Sequence, residues 1–208
     1  MRRLALATGL LVLTLIWGGP LLDVYRESFA AHMLAHMGVV AVAAPLVAVG
    51  LVGTRWDFSG QSALLAPVPA SILELVVVWV WHAPVMRAMA EANVFVTALE
   101  QFIFLAAGLV LWLACIGRGR GDEKARAAAG AFGLLLTSVH MTLLGALLAL
   151  SPRPLFGIDN VTCLGVSLTA QQDQEAGGVL MLLVGAAIYL AGGLALVARL
   201  VGQPMEAR

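Results

Sequence analysis

The chain has 208 residues, of which 61% are hydrophobic and 12% charged, and its mean hydropathy is +0.96. Soluble domains are only about half apolar, so this composition excludes a water-soluble fold. The formal net charge is +0, which argues against the basic surface of a nucleic-acid-binding protein, so we expect no nucleic acid as a partner. The composition is that of an integral membrane protein.

Six apolar stretches of helix length follow one another, each close to the ~20 residues that cross a ~30 Å hydrocarbon core. Backbone groups in lipid must be bonded within the chain, so we expect an all-α polytopic bundle of about six transmembrane helices, in one domain over residues 1–208. The stretches run over about residues 4–22, 31–52, 63–82, 94–116, 127–150 and 177–201. Pro45 predicts a bend in the second helix.

The first stretch follows Met1-Arg2-Arg3, so a cleaved signal peptide is an alternative to a membrane helix. We expect it to be retained as a helix, because no Ala-x-Ala-like cleavage site precedes Asp23 and the stretch is long enough to span.

Lysine and arginine in short flanks indicate orientation, because they are enriched on the cytoplasmic side. With a cytoplasmic N-terminus, Arg26, Arg87 and Arg153 face outward. The other basic residues face inward: Arg2, Arg3, Arg55, Arg118, Arg120, Lys124, Arg126, Arg199 and Arg208. We therefore expect both termini and the 117–126 loop to be cytoplasmic, and the 151–176 loop to lie outside.

All four histidines then fall in the outer half of the membrane. His32 begins the second helix at the outer surface, and His36 lies one turn, ~6 Å, below it on the same face. His82 ends the third helix at that surface, and His140 lies ~15 Å down the fifth. We expect His32, His36 and His82 to form the shallow part of a site, with His140 and Met141 as a deeper station.

Methionines accompany these histidines, since Met33 and Met37 flank the pair in the second helix and Met141 adjoins His140. Imidazole and thioether donors together favour Cu(I) over hard cations, so the pattern predicts a copper site. Each residue also has a structural alternative. A membrane histidine can serve as a hydrogen bond between helices, and a methionine can fill apolar gaps.

Four carboxylate or amide side chains are candidates for supporting the site. Glu100, Gln101 and Asp173 stand near the same layer, and we expect Glu100 and Asp173 to orient imidazoles through their second nitrogen. Glu74 sits in mid-helix at mid-depth, where an ionisable group is costly, so it is either functional or protonated and bonded to a neighbouring helix.

Two other classes of protein fit this pattern. A b-type cytochrome would hold haem iron between paired histidines, and a copper or proton transporter would use Glu74 and the bend at Pro45. The sequence has no nucleophile-and-base pair, phosphate loop or dinucleotide motif, so we expect no enzymatic activity. Cys115 and Cys163 fall near opposite membrane faces, which excludes a disulfide between them.

Five motifs resemble, in this order, those of the CtaG-like family of bacterial cytochrome c oxidase assembly proteins. They are His32-Met33-Leu34-Ala35-His36-Met37, Trp81-His82-Ala83-Pro84, Ala98-Leu99-Glu100-Gln101, His140-Met141-Thr142-Leu143-Leu144-Gly145 and Asp173-Gln174-Glu175-Ala176-Gly177-Gly178. The resemblance extends from about Ser28 to Val201 and is to the multi-pass family associated with caa-type oxidases.

The resemblance implies an accessory protein of the bacterial plasma (inner) membrane that helps an oxidase acquire copper. The implied partners are the copper-and-haem subunit of cytochrome c oxidase, the lipid bilayer and a periplasmic or extracellular copper chaperone. It carries the family pattern over to six residues, namely His32, His36, His82, Glu100, His140 and Asp173.

Overall fold

The computed structural model of the protein describes residues 1–119, 122–157 and 159–202, which are mostly α-helical. The helices are α1 (Arg2–Trp17), α2 (Phe29–Leu51), α3 (Pro67–Trp81), α4 (Pro84–Ala92), α5 (Val94–Ile116), α6 (Glu123–Ala149) and α7 (Ala170–Gly202). A short 3₁₀ turn, Ala63–Leu65, precedes α3. An antiparallel hairpin of β1 (Val161–Cys163) and β2 (Val166–Leu168) lies between α6 and α7. Apart from this hairpin, the architecture agrees with the predicted helical membrane protein.

Four helices are long and apolar enough to cross a membrane, namely α2, α5, α6 and α7. Helices α3 and α4 pass the same test only as a pair bent by 69°, which gives up to five spans in the described residues. Helix α1 has 16 residues and is ~24 Å long, shorter than the ~30 Å core. The predicted count of six is therefore not confirmed. Two members of the basic set, Arg120 and Arg208, lie outside the described residues.

Helix ends differ from the predicted ones where glycine, proline or buried polar residues decide them. Helix α1 ends at Trp17 rather than residue 22, because two glycines and a proline follow it. Helix α3 begins at Pro67 rather than residue 63, since proline suits a first helical turn and restricts the residue before it. Helix α7 begins at Ala170 rather than residue 177, so the polar 171–175 run is helical.

Helix α2 contains a π-helical segment, Gly38–Ala43, shortly before Pro45. A proline has no N–H, and its ring crowds the carbonyl one turn earlier, so a regular α-helix is disfavoured here. The carbonyl of Val40 accepts hydrogen bonds from the Trp112 indole N–H at 3.2 Å and from the Tyr189 hydroxyl at 3.5 Å. The helix is thus irregular just before Pro45, where a π turn has its carbonyl bonded by two other helices, and the bend expected at Pro45 stays a prediction.

Helices α6 and α7 run antiparallel in direct backbone contact through Gly145 and Gly178. A Cβ atom at Gly178 would lie 2.5 Å from the Ala149 nitrogen and 2.8 Å from the Gly145 oxygen. A Cβ atom at Gly177 would meet the Phe29 ring of α2 at 2.5 Å. Small residues allow such close approach of helices in membranes. The Gly177-Gly178 pair therefore lies where α7 packs closely against α6 and α2.

The loop between α2 and α3 is fastened to the end of α5 by Asp57. Its Oδ2 accepts hydrogen bonds from the N–H groups of Gly53 at 2.7 Å and Arg118 at 3.1 Å, and its Oδ1 accepts from the Ser59 hydroxyl at 2.5 Å. Partial burial opposes ionisation, but these hydrogen bonds hold the pKa of Asp57 below its ordinary value. The ionised side chain of Asp57 therefore links the α2–α3 loop to the end of α5.

The contact between α6 and α7 predicts a cost for a single added methyl group. In Gly178→Ala the two backbones must separate, and overpacking typically costs about 1–3 kcal/mol. The control is Gly202→Ala, because no atom of the described residues lies within 4 Å of a Cβ atom there and alanine favours a helix. We expect a lower unfolding midpoint in detergent, measured by circular dichroism, for the first variant only. Equal midpoints would contradict the close contact.

The basic asymmetry predicts that the hairpin and the α2–α3 loop lie on opposite sides of the membrane. Both native cysteines are free but buried, so single exposed cysteines are better reporters. We expect an impermeant maleimide to label Ser167→Cys in intact cells, and Gln61→Cys only after the cells are opened. Labelling of Gln61→Cys but not of Ser167→Cys in intact cells would show that the orientation is the reverse of the predicted one.

Candidate functional site

The first turn of α2 is held by the side chain of Asp173 from α7. Its Oδ1 accepts hydrogen bonds from the Ser28 hydroxyl at 2.7 Å and the Ala30 N–H at 3.1 Å, and its Oδ2 accepts from the Phe29 N–H at 2.5 Å. The Ser28 hydroxyl oxygen accepts in turn from the Ala31 N–H at 3.1 Å. The free N–H groups at a helix start favour a carboxylate, so Asp173 fixes where α2 begins.

Three histidines from α2 and from the end of α3 lie together just beyond this turn. The ring centroids of His36 and His82 are 5.2 Å apart, and those of His32 and His82 are 6.2 Å apart. The exposed fractions of His32, His36 and His82 are 3%, 0% and 6%. Phe104 of α5 packs against the group, with its ring centroid 4.0 Å from that of His36. These histidines lie inside the protein rather than at its surface.

The orientation of His82 leaves one ring nitrogen free to bind. Its Nδ1 lies 2.6 Å from the carbonyl oxygen of Val78, which can only accept a hydrogen. A neutral imidazole carries one N–H, so Nδ1 donates and Nε2 keeps its lone pair. This Nε2 lies 3.4 Å from the Met33 sulfur, which also carries lone pairs. Two acceptor atoms therefore face each other, and a Lewis acid would satisfy both.

Two buried polar residues of α5 follow one another near the histidines, and the first of them, Glu100, faces His32. Glu100 Oε1 lies 3.6 Å from His32 Nε2, which is longer than a hydrogen bond. Glu100 and Gln101 are only 0% and 2% exposed, and beyond their contact with each other their side chains make no hydrogen bond within the described residues. Most buried polar atoms are bonded, so a cluster of unbonded ones indicates a place where something else binds.

The same holds for the imidazoles of α2. Both ring nitrogens of His36 and the Nδ1 of His32 lack hydrogen bonds. Even so, among the described residues no three or more His, Cys, Asp and Glu side chains are grouped closely enough to hold one ion. Methionine is outside that set of residue types. The histidines are therefore close together, but His, Cys, Asp and Glu side chains alone do not form a complete metal site among the described residues.

Other candidate residues lie apart from this group. His140 is 4% exposed on α6 and lies beside the backbone of Ser71 in α3. One turn before it, the Thr137 hydroxyl lies 2.8 Å from that of Ser71. Met141 packs toward α7, where a Cβ atom at Gly185 would meet it at 3.1 Å. Met37, also predicted as a ligand, is a buried member of the apolar core.

The carboxyl group of Glu74 has a single hydrogen bond, at 2.9 Å, with the hydroxyl of Tyr189 on α7. Its other oxygen is buried without a partner. The Tyr189 ring also stacks on Trp112, at 5.6 Å between centroids. Glu74 thus joins α3 to α7, as in the helix-to-helix bond that the sequence left as one of two possibilities.

Two features of the site have no clear signal in the sequence. Arg87 is only 4% exposed, although an arginine side chain is ordinarily expected at the protein surface. Its Nη2 donates to the Arg26 carbonyl oxygen at 2.7 Å, and its Nε lies 3.0 Å from Glu91 Oε1. Phe104 is the second such feature, because phenylalanine carries no metal-binding atom and is not considered in a search for ligands. Its spacing of four residues after Glu100 is the only hint that it shares the same face of α5.

Comparison with known proteins identifies a family for this chain. The sequence model of the family described as cytochrome c oxidase caa3 assembly factor (Caa3_CtaG) matches residues 1–203. Searches of curated proteins and of solved structures each returned no significant match. The match covers nearly the whole chain, including every candidate donor described above. The chain therefore belongs to the cytochrome c oxidase caa3 assembly factor family.

Proposed function

We propose that this protein binds Cu(I) at the His36, His82 and Met33 cluster, with His32 beside it, and assists delivery of the ion to a cytochrome oxidase. Family membership supports the assembly role. The observation that carries copper binding is the 3.4 Å approach of His82 Nε2 to the Met33 sulfur. Both atoms offer lone pairs and neither offers a hydrogen, so a soft cation is the natural group to bind between them.

The spacing of the rings supports a shared ion after small side-chain rotations. Nitrogen ligands bind at ~2.0 Å, so two imidazoles on one ion have ring centroids roughly 5–6 Å apart. The His36–His82 separation of 5.2 Å and the His32–His82 separation of 6.2 Å lie in or near this range. The unbonded ring nitrogens of His36 give it freedom to turn toward the ion.

The charge of the pocket suits a monovalent soft ion. Imidazole and thioether donors are neutral, and Glu100 beside His32 can provide a single negative charge. Divalent hard ions require several oxygen ligands, which this cluster does not offer. A bare ion buried in a membrane protein is heavily penalised, so close coordination by these neutral donors is what would make copper tolerable there.

The other candidates take different parts in the proposal. His140 and Met141 form a deeper station on the way to a client site within the bilayer. Asp173 acts on the site through α2, whose first turn it bonds, rather than through an imidazole nitrogen. The role is one of binding and transfer in the bacterial plasma membrane, without an enzymatic step. The client is an oxidase subunit, and a copper chaperone outside the membrane supplies the ion.

The copper site predicts a specific loss on replacing its donors. We expect His36→Ala with His82→Ala to weaken Cu(I) binding by at least the ~10- to 100-fold typical of losing a supporting group. Met33→Leu should weaken it as well, whereas Met89→Leu should not, because Met89 is 48% exposed while Met33 is fully buried. Competition with a coloured Cu(I) chelator under anaerobic reducing conditions measures the affinity. Unchanged affinity in the folded double variant would remove both histidines from the site.

The assembly role predicts an oxidase that contains haem but lacks copper when this gene is deleted. Purified oxidase from cells grown at low copper would be analysed for copper per haem, with rescue by the wild type and by His36→Ala, His82→Ala or His140→Ala. We expect wild-type rescue and reduced copper with each variant. Normal copper in the deletion would contradict the assembly role. Full rescue by all three variants would retain that role and reject the histidine path.

A further inference from the structure

A groove of about 290 Å³ lies at the end of the bundle opposite the histidines, with walls from α1, α2, α5 and α7. Three of its lining residues mark the ends of long helices. Val52 directly follows α2, Ile116 is the last residue of α5, and Arg199 lies in the last turn of α7. These three helices are long and apolar enough to cross a membrane. One end of the groove therefore lies where the spans reach the membrane surface.

From this surface the groove extends along the helices toward the middle of the membrane. Its lining residues on α2 are Pro45, Val49 and Val52, which share one face and cover ~10 Å of the helix axis. Trp112 and Leu196 are each 5% exposed and form the floor, whereas Val49 is 40% exposed at the rim. An exposed apolar side chain on a membrane-spanning helix faces lipid, so the groove is open to the acyl chains of the bilayer.

Two arginines stand at the surface end of this groove. Arg2 of α1 and Arg199 of α7 are its charged lining residues, and both side chains are exposed. The Arg2 Nη2 donates to the Gly50 carbonyl oxygen in a long contact of 3.4 Å. Within the described part of the chain, neither arginine makes an ion pair and no lining residue is acidic. Two positive charges on separate helices thus face one site without a negative partner there.

The order of these features selects the occupant. A phospholipid of the adjoining leaflet has its phosphate at the membrane surface and its acyl chains below, which matches two guanidinium groups above an apolar wall. The planar fork of arginine fits phosphate oxygens, and basic pockets between helices on the cytoplasmic side bind anionic head groups. An acyl chain alone would leave the arginines unpaired. A symmetric contact between two copies of this chain would set like charges against each other.

We propose that this groove binds one anionic phospholipid, with its phosphate between Arg2 and Arg199 and an acyl chain along Pro45 and Val49. In the predicted orientation this lipid belongs to the cytoplasmic leaflet. Its phosphate joins the start of α1 to the end of α7. The site lies at the other end of the bundle from the histidines, so the inference does not depend on copper binding.

Native mass spectrometry of the purified full chain tests the head-group requirement. The protein in detergent would be titrated with phosphatidylglycerol or with phosphatidylcholine of the same acyl chains. We expect one phosphatidylglycerol to bind more tightly than phosphatidylcholine. Each arginine near an anionic surface contributes ~5-fold, so Arg2→Gln and Arg199→Gln should each weaken phosphatidylglycerol binding by about that factor.

The matched control for charge is Arg55→Gln, because Arg55 lies over the Trp56 ring, at 5.1 Å from its centroid, and does not line the groove. We expect wild-type affinity for phosphatidylglycerol in this variant. Equal affinity of the wild type for the two lipids would overturn the proposal. An equal loss in Arg55→Gln would overturn it as well, since general surface charge would then account for binding.

Filling the groove tests its apolar part without changing any charge. Ala195 is an exposed lining residue of α7, and Ala198 is exposed on the same helix but outside the lining. We expect Ala195→Trp to lose phosphatidylglycerol binding and Ala198→Trp to keep it, with circular dichroism showing that both variants are folded. Wild-type affinity in Ala195→Trp would reject the groove. A wild-type dimer that contains no lipid and that Ala195→Trp dissociates would assign the groove to a second copy and also overturn the proposal.

Discussion

The arrangement of the site depends on the bond between one carboxylate and one helix start. Asp173 accepts hydrogen bonds from the Ser28 hydroxyl and from the first N–H groups of α2, so it sets the height and direction of that helix. His32 follows within one turn and His36 within two, and both inherit their positions from this turn. A charged residue near a histidine layer can thus act at a distance, through the backbone, without contacting an imidazole.

A second constraint is the rigid frame against which α2 is placed. At Gly145 and Gly178 the backbones of α6 and α7 meet with no side chain between them. Tyr189 of α7 then reaches both the Val40 carbonyl and Glu74 of α3. Buried polar bonds of this kind add modest stability in a membrane, but they select one relative position of the helices. The donor side chains are therefore carried by helices whose positions relative to one another are fixed by these contacts.

The long apolar helices were predictable because their signal is continuous, and α5 has the predicted bounds of residues 94–116. Helix α4 and the hairpin were not, because α4 is short and amphipathic and each strand has only three residues. The grouping of His32, His36 and His82 followed from helical spacing and orientation. The burial of Arg87 did not, since its bond to the Arg26 carbonyl joins residues far apart in sequence that only the folded chain brings together.

The π segment of α2 also explains why the two halves of this helix face different neighbours. A π turn amounts to one extra residue in an α-helix, and each residue turns the chain by about 100°. The half of α2 before Gly38–Ala43 presents its histidines to α3 and α5. In the half after this segment, Gly50 approaches Leu6 of α1. The extra residue therefore rotates one half of α2 against the other by about 100°. Donor chemistry and structural packing could then change independently on the same helix.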